Sequence, residues 1–293
     1  MSALLLVDVQ NDFISGSLAV PSAEQIIPPV LRLLSCPFDL VVASQDYHPH
    51  NHVSFASSHP GQTPFRSIKL SHPVTSEQVT QDLWPDHCVQ GTEGANFEQR
   101  VSQRLKTWSE NGKAVVVRKG EDADLDAYSA FAKPLKTLKT EQDGVKFGSP
   151  LTKILKGSRI KRLVVAGLAT DYCVRASVLS ALEEASELPV PDRWEVFVVR
   201  EAVRGVHSER EEETLNELEK RGAKIVTLES SSVLKADILP LKLTGVKHDP
   251  RIVATSSGFR QLARVFCLVF SFGTRAVFRL RDTPWRINDK TGY

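Results

Sequence analysis

The sequence lacks several features that would fix its class at once. Its four cysteines, Cys36, Cys88, Cys173 and Cys267, form no CxxC pair and no disulfide-framework spacing. That pattern excludes a disulfide-stapled scaffold and leaves the thiols free for chemistry in a reducing compartment. No apolar run approaches the roughly 18–20 residues that span a bilayer; the longest suspicious stretch, VFCLVFSF at 265–272, is far too short. The opening MSALLLVDVQNDF has no basic n-region and no small-residue cleavage site, and its apolar run stops at Asp8, so it does not read as a signal peptide. Internal repeats and low-complexity tracts are missing too. Net charge is only +2, which marks no obvious binder of nucleic acid or acidic membrane. The expectation is a soluble protein of the cytoplasm and/or nucleus, with neither nucleic acid nor membrane as a partner.

The balanced charge hides an asymmetry. From Ser231 onward eleven Lys/Arg face four Asp and no Glu, a net of +7, which leaves 26 basic against 31 acidic residues, or −5, in the rest. Opposite signs predict a catalytic body over 1–238 and a basic, irregular C-terminal tail over 239–293. The tail is expected to be disordered or loosely packed, or to reflect a mispredicted exon; a nucleic-acid-binding or amphipathic tail is the lesser alternative.

What the chain does contain is six short apolar runs: ALLLVDVQ, DLVVASQD, KAVVVRKG, RLVVAGLA, WEVFVVREA and KIVTLES. They are nearly continuous rather than alternating, as in strands buried on both faces of a parallel sheet. Helix-like segments lie between them: AEQIIPPVLRLLS, DYCVRASVLSALEEA and SEREEETLNELEKRG. The last offers Ser208 as an N-cap, acids in its first turn, and Lys220, Arg221 and Gly222 at its end. This alternation predicts an α/β fold, doubly wound, with a mostly parallel six-stranded sheet and helices on both faces. Two long connections, 47–112 and 121–160, read as walls of a site at the carboxyl edge of that sheet.

The polar residues at the strand ends are chemically complementary. Asp8 closes the first run, Asp46 the second and Lys119 the third, while Cys173 follows the fourth. A single Asp at a strand end is usually a cap or a turn former. An acid, a lysine and a cysteine converging on one edge form a nucleophile set: Lys119 favours the thiolate and Asp8 can accept its proton. Ordinary core packing is the bland alternative for Cys173, but its place at an element boundary argues against it. Asp46 and His48, two apart on an extended segment, can point the same way. His87, in LWPDHC, is the best third metal ligand, and two imidazoles with one carboxylate leave open positions, as catalytic sites do. His52 is a candidate extra ligand; His50, His59 and His72 read as solvent-facing.

The stretches LLLVDVQNDF, SQDYHP, LWPDHCVQGTEGANF, RKGEDADLDAYSAF and VVAGLATDYCVRASVLSA, in this order and spacing, resemble the nicotinamidases (pyrazinamidases) of the isochorismatase-like cysteine hydrolases. The resemblance implies a catalytic triad of Asp8, Lys119 and Cys173, and a metal site of Asp46, His48 and His87, with zinc the expected ion. It also implies a cis peptide before Ala169 that aims the amides of Ala169 and Cys173 at the substrate carbonyl. Phe13, Trp84, Tyr128 and Tyr172 would form the aromatic walls. The implied activity is hydrolysis of nicotinamide to nicotinate and ammonia in NAD salvage, with pyrazinamide also accepted. The alternatives are an amidohydrolase acting on another small carboxamide or N-carbamoyl compound, and a catalytically idle binding homologue. A homo-oligomer stays open. Residues 241–293 have no counterpart in the resemblance.

Overall fold

Runs as apolar as LLLV and LVVA can only be satisfied side by side, covered above and below. In the computed structural model, which describes residues 1–140 and 148–229, they are so arranged. In chain order the elements are β1 (Ser2–Val7), the single turn α1 (Asn11–Ile14), α2 (Ile27–Leu33), β2 (Leu40–Asp46), the hairpin β3 (Ser67–Ser71) and β4 (Gln78–Asp82), and α3 (Gln99–Glu110). There follow β5 (Ala114–Lys119), α4 (Leu135–Thr140), α5 (Pro150–Gly157), β6 (Arg162–Leu168), α6 (Arg175–Glu187), β7 (Glu195–Arg204), α7 (Glu211–Lys220) and β8 (Lys224–Val226). The main sheet has the order β5-β2-β1-β6-β7-β8 and every pair in it is parallel.

Alternation along β1 divides the core. Leu4 and Leu6 pack with Val30 and Leu33 of α2 and Val101 and Leu105 of α3 on one face. Ala3, Leu5 and Val7 pack with Leu151 and Leu155 of α5, Val178 and Ala181 of α6, and Leu215 and Leu218 of α7 on the other. Each fully buried aliphatic side chain of this kind contributes about 1.5–3 kcal/mol as an upper bound. The doubly wound prediction is met. No helix among the described residues is long and apolar enough to cross a membrane.

Several local expectations are corrected. The segment from Ala23 divides into a 3-10 turn, Ala23–Ile26, and α2, which Pro28 and Pro29 open with the fixed backbone angle of a first helical turn. β5 is not buried on both faces: it forms the sheet edge, with Val117 and Lys119 covered and Val116 and Arg118 exposed. The sixth strand shrinks to Lys224–Val226. Ser208 caps nothing, for it lies inside a 3-10 turn whose start is tied down by other carboxylates. Asp171 accepts from the amides of Val206 and His207, and Glu211 from that of Gly205. The sequence reading passed over α3, α5 and the β3–β4 hairpin inside the two long connections. α3 starts on a side-chain cap, Glu98 accepting from Val101 N, and α5 on Ser149 accepting from Thr152 N. The tail over 239–293, including VFCLVFSF and Cys267, lies outside the described residues.

One glycine is required by the sheet itself. Gly167 sits opposite Val7, where β6 shifts register against β7, with φ +127°, and an added Cβ would lie 2.0 Å from the Val7 carbonyl oxygen. Gly167→Ala is therefore expected to lower the unfolding free energy by at least about 2 kcal/mol in urea titrations. Gly157→Ala, in open space at the end of α5, should change it by less than about 1 kcal/mol. A Gly167→Ala protein as stable as the parent would contradict the close approach.

Candidate active site

The strand order decides which ends meet. Along the sheet β5, β2, β1 and β6 are consecutive and parallel, so Lys119, Asp46, Asp8 and the turn after Leu168 share one carboxyl edge. The chain runs outward from β1 to β2 and β5, then crosses back to β6. The direction of winding thus reverses between β1 and β6, where open α/β sheets form their ligand crevice. Asp8 lies just past β1 with φ +48°, a left-handed conformation that Asp tolerates. Cys173 sits in a π-helical turn, Thr170–Val174, after a cis peptide between Leu168 and Ala169, as the resemblance implied. Val174 N donates to Ala169 O at 3.0 Å, which closes the wide turn ahead of α6.

At the centre is the ammonium of Lys119, only 4% exposed. Its Nζ lies 2.9 Å from Asp8 Oδ2, 2.5 Å from Asp46 Oδ1 and 3.4 Å from Cys173 Sγ, and it donates to Ala127 O at 3.0 Å. Burial alone would lower the pKa of this lysine, but Asp46 and Asp8 raise it well above its ordinary value, so it stays charged. Burial would likewise raise Asp46, yet Lys119 and the nearby imidazoles pull it far below the carboxylate range. Asp8 moves the other way. It is fully buried, and desolvation outweighs Lys119, so its pKa rises. Ser44 Oγ donates to Asp8 Oδ1 at 2.7 Å, while Oδ2 receives no well-directed hydrogen bond despite its nearness to Lys119. That oxygen is a ready proton acceptor. Burial, reinforced by Asp8 and Asp46 and only partly offset by Lys119, holds Cys173 well above the usual thiol range. Lys119 does lower the Cys173 pKa, as expected, but burial outweighs it, which leaves Cys173 a thiol beside a base.

The candidate metal donors assemble through a loop that periodicity cannot show. His48 N donates to Cys88 O at 3.0 Å and Gln90 N donates to His48 O at 2.8 Å, so residues 84–90 are sewn to the segment after β2. Asp12 secures the other side by accepting from Cys88 N at 2.7 Å. Asp46, His48 and His87 each then bring one ligand atom within 4.8 Å of the others, all three buried. The ring tautomers follow from the partners. His48 Nδ1 faces Gly120 O at 2.9 Å and His87 Nδ1 faces Pro85 O at 2.8 Å. A carbonyl only accepts, so both Nδ1 atoms carry the hydrogen and Nε2 is the ring atom each can turn to a cation. Burial would lower the His48 pKa, but Asp46, whose Oδ2 lies 3.6 Å from His48 Nε2, raises it. Burial, and then the charge of His48, hold His87 at about 4, so it is neutral and ready to ligate at neutral pH. A carboxylate and two oriented imidazoles fit a divalent ion. Gly120 makes the arrangement possible: with φ +64°, a Cβ there would meet His48 Cε1 at 2.3 Å.

His52 stands outside the Asp46–His48–His87 group, but with His48 and Asp126 it forms a second group whose ligand atoms lie within 4.8 Å of one another. Its ring stacks on His48 with centroids 4.0 Å apart, its Nδ1 pairs with Ser54 Oγ at 2.7 Å, and burial holds it at about 4. Among the histidines read as solvent-facing, His59 instead turns inward, its Nε2 2.8 Å from Val53 O.

Phe13, Trp84, Tyr128 and Tyr172 all line one cleft with Asp46, His87, Ala169 and Cys173. The space between these walls is about 360 Å³, open solvent at its mouth included. Trp84 Nε1 donates to Tyr128 Oη at 3.1 Å, and Trp84 meets Tyr172 edge to face at 4.9 Å, which fixes three ring planes together. The sequence reading missed Leu18, Val20 and Val206, which complete the walls. It also missed Gln10, whose buried carboxamide accepts from Asp46 N and donates to Asp46 O, both at 2.8 Å.

Comparison with known proteins agrees with this geometry. The Isochorismatase domain family matches residues 2–230. A nicotinamidase of Escherichia coli is 37% identical over 232 residues, covering 77% of this chain and 94% of that protein. One from Acinetobacter baylyi is 40% identical over 180 residues, covering 61% and 73%. Among solved structures, the yeast nicotinamidase superposes with a TM-score of 0.66 at 27% identity, covering 77% of this chain and 99% of that one. A Pyrococcus horikoshii pyrazinamidase in complex with zinc gives 0.54 at 33% identity, covering 77% and 98%. With strand order, cleft and sequence match in accord over residues 2–230, the chain belongs to the isochorismatase-domain family.

Proposed function

We propose that this chain is a metal-dependent cysteine amidohydrolase that converts nicotinamide to nicotinate and ammonia in NAD salvage, and that it also accepts pyrazinamide. The observation that carries the reading is the Lys119 ammonium, which touches Asp8, Asp46 and Cys173 at once. It ties a thiol–carboxylate pair to a carboxylate that also faces His48 and His87, all around a cleft of aromatic walls. Relatives named for this activity, 37% and 40% identical, support the same substrate.

Cys173 is the nucleophile in this mechanism. As the carboxamide carbon approaches, Asp8 takes the Sγ proton, and the thiolate adds to the carbonyl carbon. The carbonyl oxygen becomes an oxyanion held by the backbone amides of Ala169 and Cys173; one such donor typically contributes about 10²–10³ in rate. Lys119 keeps the negative charge of this stage tolerable in a buried site. Asp8 returns its proton to the amide nitrogen, the C–N bond breaks, ammonia leaves and a thioester remains. Asp8 then deprotonates a water that attacks the thioester, nicotinate forms, and the proton goes back to Cys173. Asp46, His48 and His87 would hold a divalent ion, which we propose to be zinc, and it would supply a Lewis acid for the ring nitrogen. Phe13, Trp84, Tyr128 and Tyr172 hold the ring plane and exclude water. The working partner is this small amide, with no nucleic acid or membrane involved, in the cytoplasm and/or nucleus.

Ammonia release from nicotinamide by the purified chain, with and without added zinc, tests the function; no release in either condition overturns it. Cys173→Ala is expected to lower turnover by at least about 10³-fold while nicotinamide or nicotinate binding stays measurable by calorimetry. Substantial residual turnover would rule out a thioester.

His48→Ala combined with His87→Ala is expected to remove the metal, read by elemental analysis, and to raise KM by at least about tenfold. Full metal occupancy in that double variant would sink the ligand assignment.

We further propose that 1–238 is the catalytic body and 239–293 an extension to it. A chain ending at Leu239 should keep its kcat/KM and a thermal midpoint within about 3 °C of the full-length protein. A larger drop together with lost activity would show that the extension is part of the fold.

A further inference from the structure

Val206 lines the same cleft as Cys173, Ala169 and His87, yet it comes from neither a strand nor a helix. It sits in the short link between β7 and α7, and that link is pinned at three successive amides. Val206 N donates to Asp171 Oδ1 and His207 N to Asp171 Oδ2, each at 2.9 Å. Gly205 N donates to Glu211 Oε2 at 2.8 Å. Both oxygens of one carboxylate are thus spent on the link, and that carboxylate stands two residues before Cys173. The Tyr172 ring, between Asp171 and Cys173, lies 6.3 Å from the His207 ring. A β-branched side chain on a backbone held in this way has little freedom at χ1. The cleft therefore has a stiff aliphatic wall whose distance from the nucleophile is set by one carboxylate.

We infer that Val206 limits which ring substituents the cleft accepts, and that Asp171 is the positioning residue that holds it there. The inference rests on the nicotinamidase reading and narrows it: the preferred ligands are pyridine-3-carboxamides with an unsubstituted ring. Shortening Val206 removes two methyl groups from the wall, about the room a ring methyl needs. A single methylene of pocket space changes selectivity by about 10–200-fold.

The test compares zinc-supplemented full-length parent, Val206→Ala, Asp171→Asn and the double variant on nicotinamide and on its 2-, 4-, 5- and 6-methyl derivatives. The readout is the ratio of kcat/KM for each methylated amide to that for nicotinamide, because a merely structural defect lowers both and leaves the ratio alone. For at least one ring position Val206→Ala should raise the ratio by about tenfold or more. Asp171→Asn should move it the same way, and the double variant should fall short of the product of the two effects. If the parent hydrolyses nicotinamide and Val206→Ala leaves every ratio within about threefold, the inference is overturned. If only Asp171→Asn leaves the ratios unchanged, the positioning role is overturned. If the parent releases no ammonia, the functional reading fails by itself. Thermal-shift binding of the same five amides then decides the wall: a methylated ring gained by Val206→Ala upholds it, and no gain overturns it.

Discussion

A lysine ammonium taken out of water must be compensated, and the site is organised around that requirement. Lys119 is 4% exposed and holds two carboxylates within 2.9 Å. Breaking such a buried arrangement by removing one partner costs about 3–5 kcal/mol, since the remaining charge has no solvent to turn to. The two acids do not share it equally. Asp46 sits closer to Lys119 and beside two imidazoles, and is held firmly ionised. Asp8, fully enclosed, is pushed toward its neutral form. Burial and this one cation thus push two chemically identical groups in opposite directions, Asp46 toward its anion and Asp8 toward its protonated form.

That division requires four residues, far apart in sequence, to meet within a few ångströms. A parallel sheet supplies the meeting place because every strand end points to the same edge. The order β5-β2-β1-β6 then makes the four ends neighbours. The remaining precision comes from hydrogen bonds to backbone. Gln10 clamps both polar groups of the Asp46 backbone, Ser44 fixes one oxygen of Asp8, and Asp12 anchors the loop that carries His87. Gly120 and Pro85 offer carbonyls that settle the imidazole tautomers. Most of these contacts bury a polar group against a partner that cannot move, so the donors are oriented before any ligand arrives.

The resting thiol is a consequence of the same burial. A site dry enough to strengthen the Lys119 contacts is also one that disfavours a thiolate, and Asp8 and Asp46 add to that. In the proposed mechanism the thiolate is made at the moment of use by proton transfer to the neighbouring carboxylate. Cys173 does not stand ionised, exposed to oxidation or side reactions.

By itself the sequence determined the six strands of the sheet, because continuous β-branched runs admit few other structures. It also determined the strand-end residues Asp8, Asp46, Lys119 and Cys173, because an acid or lysine ending such a run has to face a polar edge. The family resemblance marked His48 and His87, and with them Phe13, Trp84, Tyr128 and Tyr172, which line one cleft. Tertiary structure alone decided the rest. The helix of 99–110 and the hairpin of 67–82 were hidden because their apolar residues are sparse and their signals are caps and cross-strand pairs. The protonation of Cys173, the difference between Asp8 and Asp46, and the roles of Gln10, Asp12 and Val206 depend on neighbours 35 or more residues away. Desolvation and hydrogen-bond direction are properties of a place in space, and no local pattern of residues encodes them.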